Sequence, residues 1–161
     1  MSEKDMFFSM WEREFQTTLK VLKAYPHDRQ DFRPHERSRS AKELAWTFVG
    51  EEKTGVAGAL TGQINFDVSN PPANMKDVIS EYEKLHKESV DKFNKLSEEE
   101  LNGNMKFPVG PKTMGDLRRI DVLWTTVMDM IHHRGQFSVY LRMVGGKVPS
   151  IYGPTADEPW N

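Results

Sequence analysis

Cysteine is missing from the sequence altogether. That excludes disulfide scaffolds, thiolate metal sites and cysteine nucleophiles, and leaves the chain indifferent to redox compartment. Any metal must be held by His, Asp or Glu. Long apolar runs are missing too: no stretch approaches the roughly 20 residues that a membrane span needs. The start, Met1 to Asp5, is charged and lacks the basic flank, apolar run and small-residue cleavage site of a signal peptide, so the simplest expectation is a cytoplasmic protein with no membrane partner. Nor is there an excess of positive charge. With 22 Lys and Arg against 24 Asp and Glu the formal net charge is -2, too little to gather phosphates by counterion release, and nucleic acid is not an expected partner.

The 161 residues suit one domain with one core. Helical periodicity supplies its elements. Phe7, Met10, Trp11, Phe15, Thr18, Leu19 and Leu22 recur at three- and four-residue steps, predicting a helix over about residues 4–24 that Pro26 ends. Ser40 and Glu43 have capping-box spacing and start a second helix through Leu44, Thr47, Phe48, Glu51 and Gly55 toward Gly62. The glycines at 50, 55, 58 and 62 weaken its later half by about 1 kcal/mol each, or let it pack unusually close. Asn74 caps a third helix with the stripe Met75, Val78, Ile79, Tyr82, Leu85, Ser89, Phe93 and Leu96. Residues 105–111 alternate weakly, in the manner of a small hairpin arm. Thr113 to Asp116 resembles another cap, opening a helix of about 30 residues that Gly145 and Gly146 stop. That helix is apolar on two sides and should touch two neighbours. Four helices without regular strand alternation predict an all-α four-helix bundle. The proline-rich tail after residue 147 should be irregular and pinned by Ile151, Tyr152 and Trp160.

Asp129 and His133 stand one helical turn apart and point the same way, so they can share a proton or a metal ion. Spacing alone favours an ordinary Asp–His hydrogen bond. Thr47 by itself signals nothing, since a helical threonine usually bonds back to the preceding turn. Arg134, Gln136 and Tyr140 follow on the last helix as candidate pocket residues. His132 points about 100 degrees away from His133, and His27, His35 and His86 read as isolated surface histidines. The nine methionines, scattered at helical spacing, read as core filler.

Three segments carry a likeness: Ala41 to Thr47 with Glu51 and Glu52, His132 to Arg142, and Val148 to Pro154. Together they resemble the DinB/YfiT-like superfamily. The resemblance implies a four-helix bundle, often dimeric, in which three histidines bind a divalent metal, commonly zinc or nickel. The positions matching that triad are Thr47, Asp129 and His133, so only the last keeps its imidazole. A carboxylate, an imidazole and a hydroxyl bind more weakly than three imidazoles and favour harder ions. The family includes metal-dependent S-transferases that use low-molecular-weight thiols, and related hydrolases. On that likeness, a metal at Asp129 and His133 would activate a thiol or water, with Glu51 as a base and a homodimer as the assembly. The competing expectation is a non-catalytic dimeric bundle that binds a small ligand, or is only structural, and has lost the family's metal site.

Overall fold

The computed structural model describes residues 1–66 and 69–160. Its first helix, α1 (Glu3–Lys23), begins in a capping box: the Ser2 hydroxyl accepts from the Asp5 backbone while the Asp5 carboxylate accepts from the Ser2 backbone. Such caps are worth about 1 kcal/mol. Lys20 and Lys23 in the last turn suit the negative end of the helix dipole. A short 3-10 turn (His27–Arg29) and a loop lead to α2 (Ala41–Glu51), which starts at Ser40 and Glu43 in the expected capping box. α2 then widens into a π-helical turn (Glu52–Val56) and continues as α3 (Ala57–Thr61). α4 (Met75–Phe93) is capped by Asn74, whose side chain accepts from Asp77 N at 2.9 Å.

A short helix, α5 (Glu98–Asn102), follows, and its Ser97–Glu100 capping box escaped the sequence reading. Next come two antiparallel strands, β1 (Asn104–Gly110) and β2 (Thr113–Arg118), with Met105 opposite Leu117, Phe107 opposite Gly115 and a bulge after Pro108. The all-α expectation therefore fails at one place: the protein is mostly helical with a small two-stranded sheet. Thr113 to Asp116, expected to start the last helix, is strand, because pairing with β1 satisfies the backbone groups that a cap would have served. α6 (Arg119–Met143) begins six residues later and is 25 residues long, not about 30. Its end is as expected, with Gly145 at φ +80° in the left-handed region that favours glycine.

α1 packs against α6 and α4, and α2 against α4 and α6, so the four long segments enclose one buried apolar cluster. Phe7 anchors one end, 5.0 Å from Trp124 edge to face and 5.7 Å from Trp11, with Phe93 beside both. α6 buries residues on two sides, as its two stripes predicted. The tail is irregular. Ile151 packs on the core, Tyr152 hydrogen-bonds inward, and Trp160 is exposed with its indole N–H on Ser150 Oγ. No helix among the described residues is long and apolar enough to cross a membrane.

Candidate metal centre

Two features of α2 aim its acidic pair. Gly55 faces Thr126 of α6 so closely that a Cβ there would lie 2.6 Å from Thr126 Cγ2, so only glycine lets the helices approach this far. The π turn starts immediately after Glu51, and such turns displace neighbouring side chains around the helix. Glu51 lies on the cleft side, whereas Glu52 is buried and meets His86 Nδ1 at 3.1 Å.

Glu51, Asp129 and His133 each offer one ligand atom, and these atoms all lie within 4.8 Å of one another. Asp129 Oδ2 is 3.4 Å from His133 Nε2. On its other side the His133 ring meets Gln136 Oε1 at 3.3 Å from Nδ1, and Gln136 Nε2 is 2.9 Å from His132 Nε2. With the Nδ1 proton donated to Gln136, the Nε2 lone pair faces the carboxylates, the tautomer that a ligand requires.

Burial pushes the Glu51 carboxyl up to about 8, and the adjacent Asp129 charge and the hydrogen bond with Asp129 push the same way, against the pull of Arg39. Near neutral pH the uncomplexed group therefore holds a proton between two carboxylates. A cation would relieve the same crowding, so two carboxylates and one imidazole fit a divalent ion. The Glu51–Asp129–His133 group could hold a metal.

Asp129 is exposed, at the wall of an open cleft of about 1140 Å³ between α2, α6, β1 and loop residues 33–39, 64–66 and 69–71. Thr47 also lines the cleft, one turn before Glu51, but outside the ligand group. Its hydroxyl donates to Glu43 O at 3.4 Å and accepts from Arg39 at 2.7 Å, the back-bonding expected of a helical threonine. The structure places the three candidate pocket residues away from the cleft lining. Arg134 is 2% exposed and faces α1, where it pairs with Glu14 Oε2 at 2.7 Å and donates to Thr18 Oγ1 and the Tyr152 hydroxyl. Gln136 is exposed beside both histidines, and Tyr140 is buried with its hydroxyl donating to Arg39 O.

His86 corrects another expectation. It is 3% exposed, stacked on Phe15 at 3.6 Å and held between Glu12 and Glu52. The signal was present: position 86 continues the α4 stripe from Tyr82 to Ser89 and Phe93, and its polarity alone argued for the surface. Arg39 and Phe107, both in the cleft wall, carried no pattern that singled them out, and Trp46 stood out only as part of the segment from Ala41 to Thr47.

A model of the DinB family matches residues 1–160. Among solved structures, a DinB-like protein from Bacillus cereus ATCC 10987 superposes with a TM-score of 0.77 at 20% identity, covering 91% of this chain and 95% of that one. A DinB-like protein from Bacillus subtilis gives 0.74 at 19% identity, covering 91% and 96%. At these identities the likeness is one of fold. No curated protein matches.

Proposed function

The chain belongs to the DinB family, and we propose that it is a metal-dependent transferase or hydrolase of small molecules, built on a four-helix bundle of α1, α2 with α3, α4 and α6. The convergence of Glu51, Asp129 and His133 within 4.8 Å beside a large open cleft carries this reading. In it, Glu51 rather than Thr47 completes the ligand set. The oxygen-rich donors shift the preference toward harder divalent ions than three imidazoles take.

A bound ion would supply Lewis acidity, making a nucleophile of a thiol or water near neutral pH. The protein's own residues do the rest. Gln136 fixes the His133 tautomer. The buried Glu52–His86 contact anchors the π turn behind Glu51. Arg39 brings positive charge to the same wall. A low-molecular-weight thiol is one co-substrate that such a centre would activate.

We read the assembly as a homodimer through α6. Met128, Val139 and Met143 are 59%, 57% and 53% exposed. With His132 and Gly135 they form one helical stripe, exposed among the described residues, whose Met128 end reaches the cleft.

The metal reading is tested by calorimetric titration of chelator-treated protein with manganese, zinc and nickel. One ion per chain is expected, with affinity falling at least about 10-fold in Glu51→Ala, Asp129→Ala and His133→Ala, and little changed in Thr47→Ala. Failure of all three ions to bind stoichiometrically would overturn it.

A further inference from the structure

The cleft's cations come from one short stretch of chain. Arg33 is already engaged: it donates to Ser38 O at 2.6 Å and pairs with Glu43 at 2.9 Å. Arg39 is different. Its guanidinium donates to the neutral Thr47 hydroxyl at 2.7 Å and, among the described residues, has no carboxylate within ion-pair distance. The Arg37 guanidinium has no side-chain hydrogen bond or ion pair among the described residues.

The wall also carries large apolar side chains. Trp46, Ile64, Phe66, Phe107 and Met128 line it, with Phe66 62% exposed. Large apolar side chains held open in a concave wall mark a binding surface rather than scattered surface residues. Two guanidinium groups without an ion pair among the described residues, facing such a wall, fit an amphipathic anion, because their planar forks match a carboxylate. Glu36, Glu43, Glu51 and Asp129 share the cleft, so a multiply charged phosphate would meet repulsion that a monoanion with an apolar body largely escapes. Arg39 is anchored at Thr47, one turn from Glu51, a separation of roughly 5.4 Å along the helix.

We propose that, given the metal centre inferred above, the substrate it serves is a small carboxylic acid with an aromatic or branched aliphatic body. The carboxylate is held by Arg39 and Arg37, the body lies on Trp46 and Phe107, and the reacting atom reaches Glu51, Asp129 and His133 about one turn away.

The test uses full-length, chelator-treated protein and calorimetric titration with 4-phenylbutyrate, its neutral amide 4-phenylbutanamide, butyrate and phenyl phosphate. 4-Phenylbutyrate should bind at least 10-fold more tightly than each of the other three. Arg39→Gln should remove that preference over the amide while its circular dichroism and melting curve stay native, since Arg39 is exposed. Trp46→Leu should weaken the acid and the amide alike. Equal binding of acid and amide, tighter binding of phenyl phosphate, no effect of Arg39→Gln, or no binding of 4-phenylbutyrate at millimolar concentration would each overturn the proposal. The metal reading stands or falls separately, on its own titration: acid binding without metal binding sinks the metal centre alone, and metal binding with no acid preference sinks the carboxylate site alone.

Discussion

α6 carries two polar clusters on different faces, Arg134 of one directly following His133 of the other, and they are built on opposite principles. Toward α1, Arg134 is paired with Glu14, bonded to Thr18 and capped by Tyr152, whose hydroxyl donates on to Glu14 at 2.6 Å. Arg134 and Glu14 stand there charge against charge, both side chains shut away from water. Toward α2, like charges meet: Glu51 faces Asp129 against the pull of Arg39, and Arg37 and Arg39 on the wall beyond form no ion pair among the described residues. The first cluster is finished by the fold; the second lacks a counter-ion that the fold does not provide. Where Arg134 is matched by Glu14, the crowded carboxylates of the cleft stand beside an opening where a ligand can balance them.

Breaking the finished cluster should cost most. Arg134→Met strands the buried Glu14 carboxylate and is expected to lower stability by about 3–5 kcal/mol in urea unfolding, whereas Arg134→Met with Glu14→Leu should recover much of the loss, because the charge and its partner leave together. A single variant no less stable than the parent would show that the pair is not closed off as described.

The cleft cluster should respond in the reverse sense. Glu51 has a folded value of about 8, raised above its ordinary 4.5, so the folded state binds the extra proton and the metal-free protein loses stability as pH rises from about 4.5 through 8. Glu51→Gln removes that loss. In chelator it should melt higher than the parent at pH 8.5, by on the order of 2 kcal/mol or a few degrees, and differ little at pH 4.5. A parent at least as stable as the variant at pH 8.5 would remove the crowding argument. Saturating manganese or zinc should reverse the order, since only the parent keeps the complete donor set.

A rebuilt site sharpens the contrast further. Thr47→His with Asp129→His places imidazoles at the positions matching the family's triad, and nickel or zinc affinity should rise at least about 10-fold over the parent if Thr47 can turn from Arg39 toward His133. No gain in a folded double variant would mean that the ion's place lies one turn along α2, at Glu51. The smallest effect on stability belongs to the outer face: Val139→Glu with Met143→Glu should change unfolding by less than about 0.5 kcal/mol yet turn a sedimenting dimer into a monomer. A parent that already sediments as a monomer would refute the dimer.

Much of the helical frame was legible because caps and stripes are local. Ser40 with Glu43, Asn74 and the glycine stop at the end of α6 each act within a few residues. One arm of the hairpin showed in the weak alternation of residues 105–111, but its partner strand did not, since Thr113 to Asp116 carries cap chemistry and only its pairing with β1 decides otherwise. In the candidate site, His133 and Asp129 were visible from one helix's periodicity. The convergence of Glu51 depended on Gly55 lying against Thr126 and on a π turn, both properties of two helices in contact. His86 was misplaced because its polarity argued for surface, whereas its place in the α4 stripe and its partners Glu12 and Glu52, far away in the chain, put it inside; Arg134, expected in the pocket, is instead held by Glu14 of α1.

The tail has a kinetic meaning. Tyr152 reaches Glu14, and Glu158 reaches Lys20 at 2.8 Å, each across 138 positions of chain. Contacts that close so long a loop return their energy only after the helices have met. The tail should therefore dock after the rate-limiting step, leaving the speed of folding to the helices and acting as a latch on unfolding. Tyr152→Phe would then hasten escape from the native state while refolding runs at the parent's rate, so the last residues to settle govern how long the finished structure lasts.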